Sequence, residues 1–129
     1  MDPSRLRSIP LFKDVGDEDL RGIATFADEV SVEPGKHLVD EGDYSYQFMA
    51  IEEGEAEVLR GSEHLADLRP GDFFGEMGLL ERERRNATVI AKTPMRLITL
   101  TGWDLKRMEK AMPDAVNQIR AVMEQRRQG

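Results

Sequence analysis

Gly71-Asp72-Phe73-Phe74-Gly75-Glu76-Met77-Gly78-Leu79-Leu80-Glu81-Arg82-Glu83-Arg84-Arg85-Asn86-Ala87-Thr88-Val89 is the one stretch that does not read as plain strand and turn. Two glycines flank an acidic residue where a short helical turn would begin. Glycine lets a ligand approach the backbone closely. The free N–H groups at a helix start form a ready anion site. Leu79 and Leu80 would anchor such a turn from behind. Arg85 stands shortly before a β-branched run and offers a two-pronged, charge-assisted contact to an anion. A carboxylate cannot hold phosphate, but Glu76 is suited to accept a hydrogen bond from a sugar hydroxyl. Together these are the parts of a sugar-phosphate site. A lone Gly-x-x-Gly would say little; Gly75-Glu76 with a downstream Arg-x-Ala-Thr says much more.

Outward from this segment the chain is punctuated at regular intervals. Pro34-Gly35, Glu41-Gly42-Asp43, Glu53-Gly54-Glu55, Gly61-Ser62 and Pro70-Gly71-Asp72 separate short apolar runs. Those runs are Val30/Val32, Leu38-Val39, Phe48 to Ile51, Ala56 to Leu59, Leu65 to Leu68, Ala87 to Ala91 and Met95 to Leu100. Many short strands with glycine turns predict an antiparallel barrel, sandwich or jelly roll. Before them, Asp17 is the expected N-cap of a helix carrying Leu20, Ile23, Ala24 and Ala27. After them, Thr101 caps a helix from Gly102 to Ala111, with Asp104 closing the capping box. Pro113 then ends this helix and opens the next. Val116, Ile119, Val122 and Met123 give the second helix an apolar stripe, expected to pack on the core or to serve as a lid or partner surface.

Composition narrows the function classes. The 129 residues suit a single domain, and 40% hydrophobic residues suffice for a core. The chain has no cysteine, which excludes disulfides and thiolate metal sites. Its two histidines, His37 and His64, form no metal-binding pattern and read as surface or edge residues. No nucleophile–base pair is recognisable, so an enzyme is not expected. The net charge of −7 argues against a DNA-gripping surface. No apolar run reaches the length of a membrane span. Met1-Asp2-Pro3-Ser4-Arg5 shows no secretory signal, and a cytoplasmic location is expected.

The central segment resembles the phosphate-binding cassette of cyclic nucleotide-binding domains, the family of kinase regulatory subunits, catabolite activator proteins and cyclic nucleotide-gated channels. Phe74-Gly75-Glu76 and Arg85-Asn86-Ala87-Thr88 fall at that family's spacing. The similarity extends to Ser8-Ile9-Pro10-Leu11-Phe12, resembling the opening helix, and to Glu41-Gly42-Asp43 and Ile51 to Val58, resembling inner strands and turn. It implies a double-stranded β-helix, or β-roll, mainly β with flanking helices. One domain would then fill residues 1–129: an N-terminal helical segment to about 28, a roll over 29–100 with its cassette at 74–88, and C-terminal helices over 101–127.

By this resemblance the ligand is a cyclic nucleotide, with cAMP favoured over cGMP because it is commoner in the family, and no cofactor or metal is needed. Glu76 would take the ribose 2′-hydroxyl and Arg85 the exocyclic phosphate oxygens. Phe74, Gly75, Met77, Gly78, Asn86 and Ala87 complete the expected site, with backbone amides sharing the phosphate. Asn86 departs from the family, which often has alanine or serine there in cAMP binders and threonine in cGMP binders. Arg82 and Arg84, interleaved with Glu81 and Glu83, read as a solvated face. Ligand binding would order the turn, repack Leu79 or Leu80, and draw the helix around 116–126 over the base. Arg120, Met123 and Trp103 are candidates to cap it. The domain would signal to a second copy or a fused effector through its C-terminal helix. The alternatives are a roll that has lost its ligand and serves protein interaction, and the sensor of a transcription factor without its DNA-binding domain.

Overall fold

The computed structural model describes residues 1–45, 47–74, 83–84 and 87–128, without the side chains of residues 44, 45, 83, 84, 105, 122, 123 and 125–128. Ten strands and four α-helices lie among them. Helix α1 (Pro3–Arg7) starts where the Asp2 carboxylate accepts the Ser4 amide at 2.9 Å, with proline in the first turn. A 3-10 turn (Pro10–Phe12) and helix α2 (Asp17–Phe26) follow. The strands are β1 (Asp28–Val32), β2 (His37–Val39), β3 (Tyr44–Ser45), β4 (Gln47–Glu53) and β5 (Ala56–Arg60). Then come β6 (Glu63–Leu68), β7 (Phe73–Phe74), β8 (Glu83–Arg84), β9 (Thr88–Ala91) and β10 (Met95–Thr101). Helices α3 (Gly102–Ala111) and α4 (Pro113–Gln128) close the chain.

Two four-stranded antiparallel sheets form the roll, ordered β1-β10-β4-β7 and β2-β9-β5-β6; β3 pairs with β8. The links β1–β2, β4–β5, β6–β7 and β9–β10 cross from one sheet to the other, whereas β5 and β6 form a hairpin within the second sheet. The glycine turns expected from sequence are present: Gly35, Gly42, Gly54, Gly61 and Gly71 all have positive φ. Gly54 is required twice over, because a Cβ there would sit 2.4 Å from the Pro94 carbonyl oxygen.

Alternation along β4 and β10 divides the interior. Phe48, Ala50, Ile98 and Leu100 face the helices, where Leu6, Phe12, Ile23, Met108, Val116 and Ile119 meet them. Met49, Ile51, Met95 and Leu97 face the second sheet, against Ala56, Val89 and Ala91. Phe48 is fully buried and lies edge-on to Phe12 at 6.2 Å and tilted against Phe73 at 5.7 Å. Burying such a ring contributes about 2–3 kcal/mol.

Two expectations for the N-terminal region require correction. Gly16, not Asp17, is the N-cap of α2: the Leu20 amide bonds the Gly16 carbonyl at 2.8 Å. Asp17 stands in the first turn, where its charge suits the helix dipole, and its carboxylate is engaged by Arg7 at 2.6 Å. Ala27 is the residue that ends α2, already extended. Residues 8–12, expected as the opening helix, form only the 3-10 turn, and the first α-helix lies upstream. Pro10 restricts Ile9 to extended backbone (φ −86°, ψ 121°), so a helix cannot run through it. At the other end Thr101 and Asp104 form the expected capping box, at 3.2 and 2.9 Å.

Candidate functional site

The two ends of the central segment are held firmly by the roll. On the upstream side, the Ile51 amide donates to the Asp72 carbonyl and the Gly71 amide to the Ile51 carbonyl, both at 2.9 Å. The Asp72 carboxylate closes its own turn by accepting the Arg69 amide at 2.8 Å. Phe73 and Phe74 then pair with Ala50 and Met49 as β7. Phe73 is buried on the helical side, and Phe74 packs into the cluster between the sheets. One dipeptide thus fastens the segment to both halves of the core.

On the downstream side, Ala87 is buried, and Thr88 to Ala91 form β9, flanked by β2 and β5. The Thr88 hydroxyl accepts the Glu41 amide at 2.9 Å, and the Glu41 carboxylate accepts the Gly61 amide at 3.0 Å. The turns after β2 and β5 are therefore tied to the strand that leaves the segment. Of the expected site residues, Phe74 and Ala87 are thus placed at its two ends. Gly75, Glu76, Met77, Gly78, Arg85 and Asn86 lie outside the described residues, as do Leu79, Leu80, Glu81 and Arg82. Glu83 and Arg84 are backbone partners of Ser45 and Tyr44 in the β3–β8 pair.

The family model for the cyclic nucleotide-binding domain matches residues 29–111. The chain belongs to that family. The domain is 38% identical over 97 residues to a cAMP-dependent protein kinase regulatory subunit of Yarrowia lipolytica, covering 74% of this chain and 26% of that protein. It is 31% identical over 122 residues to a cyclic nucleotide-gated potassium channel of Rhizobium etli, covering 95% of this chain and 34% of the channel. Among solved structures, it resembles the N-terminal domain of a transcriptional regulator from Streptomyces coelicolor A3(2). The TM-score is 0.86 at 29% identity, over 96% of this chain and 91% of that one. The chain spans about a quarter of the length of the first curated relatives it matches. The fold is the β-roll with flanking helices that the resemblance implied.

The C-terminal helices pack against the N-terminal turn and the roll. Helix α4 packs beside the Pro10–Phe12 turn, and Val116 and Ile119 are buried with Leu6 and Phe12. Three candidates were expected to cap a base. Trp103 stands 74% exposed at the start of α3, with the Lys106 ammonium 5.1 Å from its ring. Arg120 is paired with Glu109 across α3 and α4. The Met123 side chain lies outside the description. A feature that sequence reading missed is the clamp from α1 to the roll. Arg5 grips Glu52 through two bonds of 2.6 and 2.5 Å and reaches Glu29, which Arg96 also contacts. Hydrogen bonding to Glu52 first, and to Glu29 next, holds the Arg5 guanidinium well above its ordinary pKa. The Arg5 bond in turn lowers the Glu29 carboxyl. Residues 5, 29, 52 and 96 carry no spacing signal that unites them.

His37 and His64 lie on β2 and β6, exposed as expected, beside Asp40 at 2.6 Å and Glu57 at 2.9 Å. No helix among the described residues is long and apolar enough to cross a membrane.

Proposed function

We propose that this domain binds cAMP in preference to cGMP as a cytoplasmic signal sensor, without catalysis, metal or cofactor, and acts through movement of its C-terminal helices. The single observation that carries this reading is the anchoring of both ends of the cassette. Phe74 is laddered to β4 and Thr88 is bonded to the turn after β2, so both ends of the cassette are fixed on the roll. In that position Glu76 takes the ribose 2′-hydroxyl, and Arg85 pairs with the phosphate alongside backbone amides of Gly75, Met77, Gly78 and Ala87. Asn86 donates to the phosphate or meets the base edge. Two relatives named above carry cAMP or cyclic nucleotides in their names, which supports the ligand class.

The whole chain acts as one sensor unit. Bound anion orders the cassette, Leu79 or Leu80 repacks, and α4 shifts over the base. The ligand biases this equilibrium only by its differential affinity for the two arrangements. The output passes through α4 to a second copy or to a fused effector. The likeness to the N-terminal domain of a transcriptional regulator favours an effector of that kind as a second reading. Parallel calorimetric titrations with cAMP and cGMP test the core of the proposal. Saturable binding with cAMP the tighter ligand is expected; no heat with either nucleotide refutes it, and tighter cGMP refutes the stated preference.

A further inference from the structure

A cavity of about 280 Å³ opens on the flank of the roll between β1 and β2. Its position sets it apart from the start of the cassette. In the first sheet β1 is the edge opposite β7, and in the second β2 is the edge opposite β6. Its size is close to the lower end of small-molecule sites. Val30, Val32, Leu38, Met49 and Leu97 form its apolar walls, and Lys36, His37, Gln47 and Thr99 complete the lining. Val30 is 39% exposed, so apolar surface stands uncovered at the rim.

Two polar side chains of the lining make no hydrogen bond or ion pair among the described residues. Thr99 lines the cavity with only 5% of its surface exposed, and its hydroxyl has no hydrogen-bond partner among the described residues. A buried hydroxyl in that state is uncommon, because leaving it unpaired is costly. At the rim, Lys36 makes no ion pair among the described residues, in a chain of net charge −7. Its neighbour His37 is held by Asp40, which leaves Lys36 as the cation facing an incoming anion.

We propose that this flank cavity is a second binding site, separate from the cyclic-nucleotide cassette, for a small apolar carboxylate that bears a hydroxyl or carbonyl at its far end. The hydrocarbon body lies against the valine, leucine and methionine walls. The carboxylate is drawn to Lys36. The remote polar group reaches Thr99 and completes the missing hydrogen bond.

The probe is 3-(4-hydroxyphenyl)propionate, followed by methyl NMR of the full chain. Saturable shifts are expected at the methyls of Val30, Val32, Leu38, Met49 and Leu97. Removing the ring hydroxyl (3-phenylpropionate) or the charge (the corresponding amide) should each weaken binding about three- to tenfold. Thr99→Val should erase the hydroxyl preference and Thr99→Ser should keep it; Lys36→Gln should erase the acid-over-amide preference. Unchanged chemical shifts outside the cavity will show that each variant is folded. Saturating cAMP should leave the probe in place. Absence of saturable shifts at millimolar probe, equal affinity for all three compounds, or displacement by cAMP would each overturn the proposal. The last outcome would leave the cyclic-nucleotide reading intact, whereas failure to bind cAMP would leave the flank site standing.

Discussion

The Glu41 amide donates to the Thr88 hydroxyl at 2.9 Å, across 47 positions of sequence, and the Glu41 carboxylate takes the Gly61 amide in turn. Two turns of the roll thereby meet on the strand that emerges from the cassette. Thr88→Val keeps the β-branched shape and removes the acceptor. The variant should lose about 1 kcal/mol of stability and bind cAMP more weakly, since the cassette is no longer braced. Urea unfolding and calorimetry check both; full affinity in the variant would show that the brace is irrelevant to the ligand.

Arg85→Ala should cost about 2–3 kcal/mol of cyclic-nucleotide affinity, the loss of a charge-assisted contact to phosphate. Titration measures it directly. Wild-type affinity in this variant would remove Arg85 from the site.

Glu76→Gln should weaken the ribonucleotide more than its 2′-deoxy analogue, because only the former offers the hydroxyl that the carboxylate accepts. Comparison of the two ligands on both proteins supplies the test. Equal weakening would mean that Glu76 does not contact the sugar.

Gly54→Ala and Gly42→Ala separate two sources of strain. Both positions have φ near +90°, and a side chain there costs about 1–3 kcal/mol. At Gly42 a Cβ meets nothing within 4 Å, whereas at Gly54 it would meet the Pro94 carbonyl at 2.4 Å and Met95 besides. Gly54→Ala should therefore be much the more destabilising of the two in denaturant unfolding. Equal losses would show that the Gly54–Pro94 approach relaxes freely.

Arg5→Gln probes the clamp between α1 and the roll. Glu29 is lowered from its ordinary value of 4.5, mainly by the Arg5 bond. A depressed carboxylate contributes stability that is full above its unfolded pKa and is lost as pH falls through its folded one. The Tm gap between wild type and variant should be full near neutral pH and close below 4.5 as Glu29 takes up its proton. A gap that persists unchanged to about pH 3 would show that the Glu29 contact does not carry the effect, leaving the Glu52 bonds and packing of the arginine stem as its source.

Much of the architecture was legible because it is locally encoded. The seven apolar runs became strands, and the five glycine turns hold their expected positive φ. The Thr101–Asp104 box starts α3 and Pro113 opens α4, because capping chemistry acts within four residues. The misses came from competition between neighbours. Asp17 looked like a cap, but Arg7 claims its carboxylate and Gly16 takes the role. The two-residue strands β3, β7 and β8 escaped notice because two residues carry no period; only a partner strand defines them.

The sequence by itself determined the fold class, and it carries the spacing that resembles a phosphate-binding cassette. Glycine, capping and alternation are local properties, and Phe74-Gly75-Glu76 with Arg85-Asn86-Ala87-Thr88 is a spacing along one chain. Only the tertiary structure decided which distant groups share an environment. It joined Arg5 to Glu52 and Glu29, tied Glu41 to Thr88, and set the Thr99 hydroxyl, which has no hydrogen-bond partner among the described residues, in the wall of a flank cavity. Such contacts depend on how strands far apart in sequence come to lie side by side. No short-range pattern of residue types encodes that.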